Sequence, residues 1–175
     1  MFLLTHAPFE SWCAQELLGD GALWRATSIV SGKTPRWAQN AKLLPFLSNR
    51  AGQAYSLDED GSGSGSVINY GEVAGRALYF KAVGTFSPAA AKGTLTQRCP
   101  IDFNVNISEG GIVVGGTPIL TSAISGPGFL RCLFLDEDVR IFESPNDSPD
   151  RWEAAGLVVV QVRDACFDDP VQGGL

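Results

Sequence analysis

Between residues 101 and 108 the chain alternates without a break. Ile101, Phe103, Val105 and Ile107 are apolar, while Asp102, Asn104, Asn106 and Ser108 between them are polar. Alternation of that kind gives one buried and one wet face, the period of a half-buried β-strand. Related runs recur downstream. Gly128-Phe129-Leu130-Arg131-Cys132-Leu133-Phe134-Leu135 leads into the acidic turn Asp136-Glu137-Asp138 and then Val139-Arg140-Ile141-Phe142-Glu143-Ser144. After a polar stretch comes Leu157-Val158-Val159-Val160-Gln161-Val162-Arg163. Segments rich in β-branched and aromatic residues, divided by turn chemistry, predict antiparallel strands. Such a pairing cannot hide its apolar face alone, so the upstream chain must supply the rest of a sheet.

The upstream pattern does so. Strands are predicted over 21–30, 53–57, 66–73, 76–83, 112–114 and 117–120. Between them, residues 58–65 read as a flexible acidic tip and Gly84 to Pro88 as a bend. Glu109-Gly110-Gly111 reads as a turn, Gly115-Gly116 as a kink, and Ser125-Gly126-Pro127-Gly128 as a connection. Two segments have the helical period instead. Over 5–18, Phe9, Trp12, Cys13 and Leu17 form one stripe, with Thr5 as cap and Gly19 as stop. Over 35–47, Trp37, Ala38, Ala41 and Leu44 share a face that Pro45 ends late. The first helix reads either as lying across the mouth or flank of the sheet, or as a membrane-surface or partner-binding helix.

The expected fold class is therefore mainly β, with about eight or nine short antiparallel strands and one or two short N-terminal helices. A sandwich and a closed up-and-down barrel both suit that count. Closure is favoured, because the later strands follow one another through short turns and a barrel leaves no edge to aggregate. The chain divides into a helical segment (1–20), a barrel domain (21–163) and a polar tail (164–175) carrying Cys166-Phe167. A barrel of about eight strands either fills itself with side chains or holds one small ligand. One alternation class per strand would place Phe80, Ile101, Phe103, Val105, Phe134, Val158 and Val160 in the lumen. Those residues would line a ligand cavity or simply form the core, and with ten phenylalanines, four tryptophans and three tyrosines, filling is easy. Phe9 and Trp12 on the first helix, and Trp152 in the polar loop near Pro145, are the candidate partner contacts.

Composition narrows the partners. With 20 glycines and a single methionine, the balance favours strands and turns over helices. A net charge of −6 and a pI near 4.7 supply no basic stripe for phosphates, which argues against nucleic acid and against electrostatic binding to anionic membranes. Any membrane contact would have to be apolar. Met1-Phe2-Leu3-Leu4 is too short for a signal-peptide core and has no basic flank. Cys13, Cys99, Cys132 and Cys166 form no C-x-x-C pair and read as buried or half-buried thiols of a reducing compartment. Disulfides stay open as well, since Cys132 and Cys166 both fall near the last strands.

Candidate chemistry is thin. His6 is the only histidine, so neither a Ser-His-Asp nor a Cys-His arrangement builds well. Metal ligands do not cluster, and the glycine-rich stretch 61–65 lacks the lysine of a phosphate loop. Asp136, Glu137 and Asp138 read as a solvated hairpin turn with Arg140 beside it. Asn104 and Asn106 read as the wet outer face. No enzyme is expected.

The final strands do resemble a family. Leu133-Phe134-Leu135-Asp136-Glu137-Asp138-Val139-Arg140-Ile141 and Leu157-Val158-Val159-Val160-Gln161-Val162-Arg163 are similar to the "YLDEDLRI…FVLVR" signature of plastid lipid-associated proteins, the fibrillins, with Phe134 in place of the tyrosine. Gly52-Gln53-Ala54-Tyr55, Asn69, Val83-Gly84-Thr85-Phe86-Ser87-Pro88 and Leu23-Trp24-Arg25-Ala26-Thr27-Ser28 also fit. The similarity spans about 21–163 and is specific at its C-terminal end; the polar insert 144–155 is longer than the family's usual turn. The resemblance implies a lipocalin-like barrel in the chloroplast, at thylakoids or plastoglobules, and a transit peptide expected to have been removed. It further implies a non-catalytic protein, peripheral to the membrane, that binds a lipid, quinone or carotenoid in its barrel and takes no other cofactor. The alternative is an accessory subunit with a filled barrel that docks on a photosynthetic membrane complex, a photosystem or an antenna.

Overall fold

The computed structural model describes residues 21–31, 49–59, 63–89, 99–144 and 156–164. Its elements are β1 (Leu23–Ser31), β2 (Ala51–Leu57), β3 (Gly65–Glu72), β4 (Leu78–Pro88), β5 (Ile101–Val114), β6 (Thr117–Leu135), β7 (Val139–Ser144) and β8 (Leu157–Asp164). Each strand pairs antiparallel with the next, and β8 returns to β1, so the sheet closes into an up-and-down barrel. This is the mainly β, barrel architecture that the alternation predicts. Both expected helices, His6, Phe9, Trp12, Trp152 and the tail after Asp164 lie outside the described residues.

Register separates inside from outside. Tyr55, Val67, Phe86, Ile101, Phe103, Val105, Ile107, Cys132 and Phe142 form one buried cluster drawn from β2 to β7. Side chains from six consecutive strands meet only across a lumen. The rings interlock there: Tyr55 meets Phe86 edge-on at 5.0 Å, Phe86 meets Phe103 at 6.0 Å, and Tyr55 stacks on Phe142 at 6.1 Å. One half of the barrel is thus filled by its own aromatic side chains. On the opposite parity, Leu23, Tyr70, Tyr79 and Val113 make a second buried cluster. Beside it, Arg50 donates to both Glu72 carboxylate oxygens and to Asp164, and the Tyr70 hydroxyl donates to Glu72 at 2.9 Å. Those bonds tie β3 and β8 to the start of β2.

Three predicted breaks are strand. β4 runs through Gly84 to Pro88, β5 runs through Glu109-Gly110-Gly111, and β6 runs through Ser125 to Gly128. The glycines are read correctly as unusual and wrongly as turns. A Cβ on Gly84 would collide with the Asn106 carbonyl, and one on Gly110 with the Ile124 side chain. Pairing slips by one residue at both places, between Val83 and Gly84 and between Ile107 and Glu109. Glycine here permits close approach at β-bulges rather than chain reversal. The reversal itself is Gly115-Gly116, at φ 56° and 81°, the left-handed pair that a two-residue hairpin requires.

Among the described residues β1 meets β2 at two residue pairs, Trp24 with Gln53 and Arg25 with Gly52, beside which the Gly21 amide donates to the Tyr55 carbonyl. β7 pairs with β6 only from Arg131 to Leu135, so the long β5–β6 hairpin projects past that contact.

Candidate functional site

Following the inward parity across the sheet gives three rows. The floor is Tyr55, Val67, Gly84 and Ile107, which belongs to the aromatic fill. One row up lie Trp24, Gln53, Asn69, Ala82, Gly110 and Ser122. The third row is Ala51, Gly71, Phe80, Ile112 and Leu120. Apart from Trp24, the row between floor and rim therefore carries only alanine, glycine and polar side chains. A Cβ at Gly71 would find nothing within 4 Å.

The middle row carries a polar belt. Arg140 and Gln161 face in beside Trp24, because Arg140 shares parity with Phe142 and pairs with Gln161. The Arg140 guanidinium donates to the Gln161 side-chain oxygen at 2.5 Å and to the Gln53 carbonyl at 3.1 Å. It also lies 4.8 to 5.0 Å from the ring centres of Trp24, Tyr55 and Phe142. Three aromatic faces around one cation supply attraction that partly offsets the cost of its burial. Gln53 donates to Asn69 at 2.9 Å. The Trp24 indole N–H is fully buried and has no hydrogen-bond partner among the described residues. Such a donor costs about 1–3 kcal/mol unless something accepts from it. Burial pushes the Tyr55 phenol up to about 12, with Arg140 opposing.

Above the belt the inward face becomes an apolar rim. Phe80 is 43% exposed, Val114 42%, Leu120 58% and Ile124 38%, and Ile119, the extra residue at a bulge in the hairpin, is 61% exposed. No charged residue occurs between Gly110 and Leu130. That gap in the charge pattern is plain in the sequence, and it is the signal that would have found the rim.

The residues proposed for the lumen divide. Ile101, Phe103 and Val105 face inward, but into the filled half, where Phe103 touches Phe86. Phe80 has the inward parity and stands at the rim. Phe134, Val158 and Val160 point outward, which corrects the expectation for them. Val159 opposite Phe142 faces the core, so its neighbours cannot. A bulge between Cys132 and Phe134 sets Phe134, itself 45% exposed, opposite the outward Ile141. The run 157–162 offers apolar residues at both parities, so alternation had nothing to read there. Nothing in the alternation marks Trp24, Gln53, Asn69, Arg140 or Gln161 as lumen residues. Arg140 in particular does not stand by the acidic turn, where Asp136 instead accepts from the Asp138 and Val139 amides.

On the outer face, Asn104 and Asn106 are exposed and Arg131 donates twice to Asp102. Among the described residues no group of His, Cys, Asp and Glu converges as a metal site would require. No protein-family model, curated protein or solved structure matches the chain.

Proposed function

We propose that this chain is a non-catalytic, fibrillin-like lipophile-binding protein that works at the surface of plastid membranes. One observation carries the reading: a single inward face passes from a packed aromatic floor, through small and polar residues, to an exposed apolar rim. Ligand sites of this kind are mostly apolar, with a few polar groups that fix orientation. The seat is the open half of the barrel. The polar end of the ligand accepts hydrogen bonds at the belt, where the Trp24 N–H is available, and its apolar body lies against Phe80, Ile112 and Leu120. A lipid, a quinone or an oxygenated carotenoid has this chemistry.

A second reading draws on the filled half. Tyr55, Phe86 and Phe103 are buried to within 2% of completeness, as in a barrel that serves as a rigid body. It makes the chain an accessory subunit that docks its uncharged hairpin on a photosynthetic membrane complex.

Gentle purification followed by solvent extraction separates the two. The carrier yields about one lipophile per monomer, and Gly71→Leu, which fills open space at the inward face, lowers that yield at least about tenfold with the fold intact. An empty monomer that is recovered only with a pigment–protein complex overturns the carrier and supports the subunit.

A further inference from the structure

Neither reading uses the two cysteines at the filled end of the barrel. Cys99 sits just before β5, and Cys132 on β6 lies opposite Ile101 in register. Their sulfurs are 3.9 Å apart. Both are reduced; Cys132 is fully buried within the aromatic cluster, and Cys99 is half-buried against its margin. A disulfide requires sulfurs about 2.05 Å apart, so the pair is in contact but unbonded.

We propose that Cys99 and Cys132 form a reversible thiol–disulfide exchange site, with Cys99 as the attacking thiol and Cys132 as the resolving one. Exposure sets the order, since an incoming disulfide reaches Cys99 and not Cys132. The electrostatics agree in direction. Hydrogen bonding from Cys132 favours the Cys99 thiolate, whereas that same bond and then burial hold Cys132 protonated. The co-reactant is a low-molecular-weight disulfide. The Cys99 thiolate attacks one of its sulfurs, the S–S bond breaks, and one small thiolate leaves and takes up a proton. Cys132 then gives up its proton to solvent and attacks the Cys99 sulfur of the mixed disulfide. The second small thiolate leaves and is protonated in turn. Two protein thiols are oxidised, and one small disulfide is reduced to two thiols. The new bond would staple the entry of β5 to β6 on the floor of the barrel, and reduction would release it.

The test uses the full chain carrying Cys13→Ser and Cys166→Ser, treated with oxidised glutathione and followed by intact mass and peptide mapping. The expected product is two hydrogens lighter, links Cys99 to Cys132, carries no glutathione and reverts with excess reduced glutathione. Before oxidation, Cys99 should alkylate at least about tenfold faster than Cys132 at neutral pH. In the Cys132→Ser variant, glutathione should stay on Cys99. A stable glutathione adduct on the protein that holds both thiols, or folded protein left unreacted by an excess of oxidised glutathione, overturns the proposal. Peptide mapping of the chain with both thiols decides the matter even where Cys132→Ser fails to fold.

Discussion

Tyr55 shows how one side chain joins the filled half of the barrel to the polar belt. Its ring packs on Phe86 and Phe142 and faces the Arg140 guanidinium, while its hydroxyl reaches Gln53. Burial raises its folded phenol pKa from about 10 to about 12. The neutral phenol is thus preferred in the folded state, and the stability this contributes is complete below pH 10 and is lost as pH rises through about 12. That gap corresponds to about 3 kcal/mol. Tyr70, raised by burial and by its bond to Glu72, adds to the same alkaline loss. Urea unfolding measured at several pH values should therefore show stability falling above pH 10, with a shallower fall in Tyr55→Phe. An equally steep fall in that variant would remove Tyr55 from the account. Alternation in the sequence marks Ile101, Phe103 and Val105 as inward, but it gives no such sign for Tyr55 or Phe142. It misplaces Arg140, since a charged residue next to an acidic turn reads as surface. Only the register with Gln161 and the three surrounding rings reveals it as interior.

Strand number and order were legible among the elements, and strand ends were not. Clean alternation over 101–108 gives the inner face of β5 directly, but glycine is ambiguous between a turn and a close approach. The difference lies in the neighbour, which a linear chain does not display. Gly84 and Gly71 make the contrast testable. A methyl group on Gly84 would overlap the Asn106 carbonyl of the adjacent strand, where backbone must yield. Gly84→Ala should cost about 2 kcal/mol or more in urea unfolding. Gly71→Ala meets open space and should stay within about 0.5 kcal/mol of the parent. Equal effects at the two sites would contradict the assigned register. The parity of Val158 and Val160 was lost for a related reason: where every residue is apolar, period two leaves no trace.

For the whole molecule, charge and apolar surface are segregated. The chain carries a net charge of −6, yet the hairpin from Gly110 to Leu130 carries none, and its exposed Ile119 and Leu120 add greasy area to the rim. Under the proposed membrane role, a protein built this way would meet an uncharged lipid surface through the hydrophobic effect, which salt does not screen. Adsorption to neutral phosphatidylcholine vesicles should persist at high ionic strength and fall at least about tenfold in Ile119→Asp/Leu120→Asp. Binding that disappears on adding salt would mean that a charged surface elsewhere is responsible. At this scale the sequence already limits any membrane contact to an apolar one, but not its location. Exposure depends on which strands pair, and β7 leaves this hairpin uncovered beyond Arg131.

A hoop is as strong as its narrowest joint, and in this one the joint is the meeting of β1 with β2 across Trp24–Gln53 and Arg25–Gly52. Breathing of the ring should start there. Parting those few amides would unroll the wall beside the Trp24 indole and give a bulky guest a side door that the packed floor never offers.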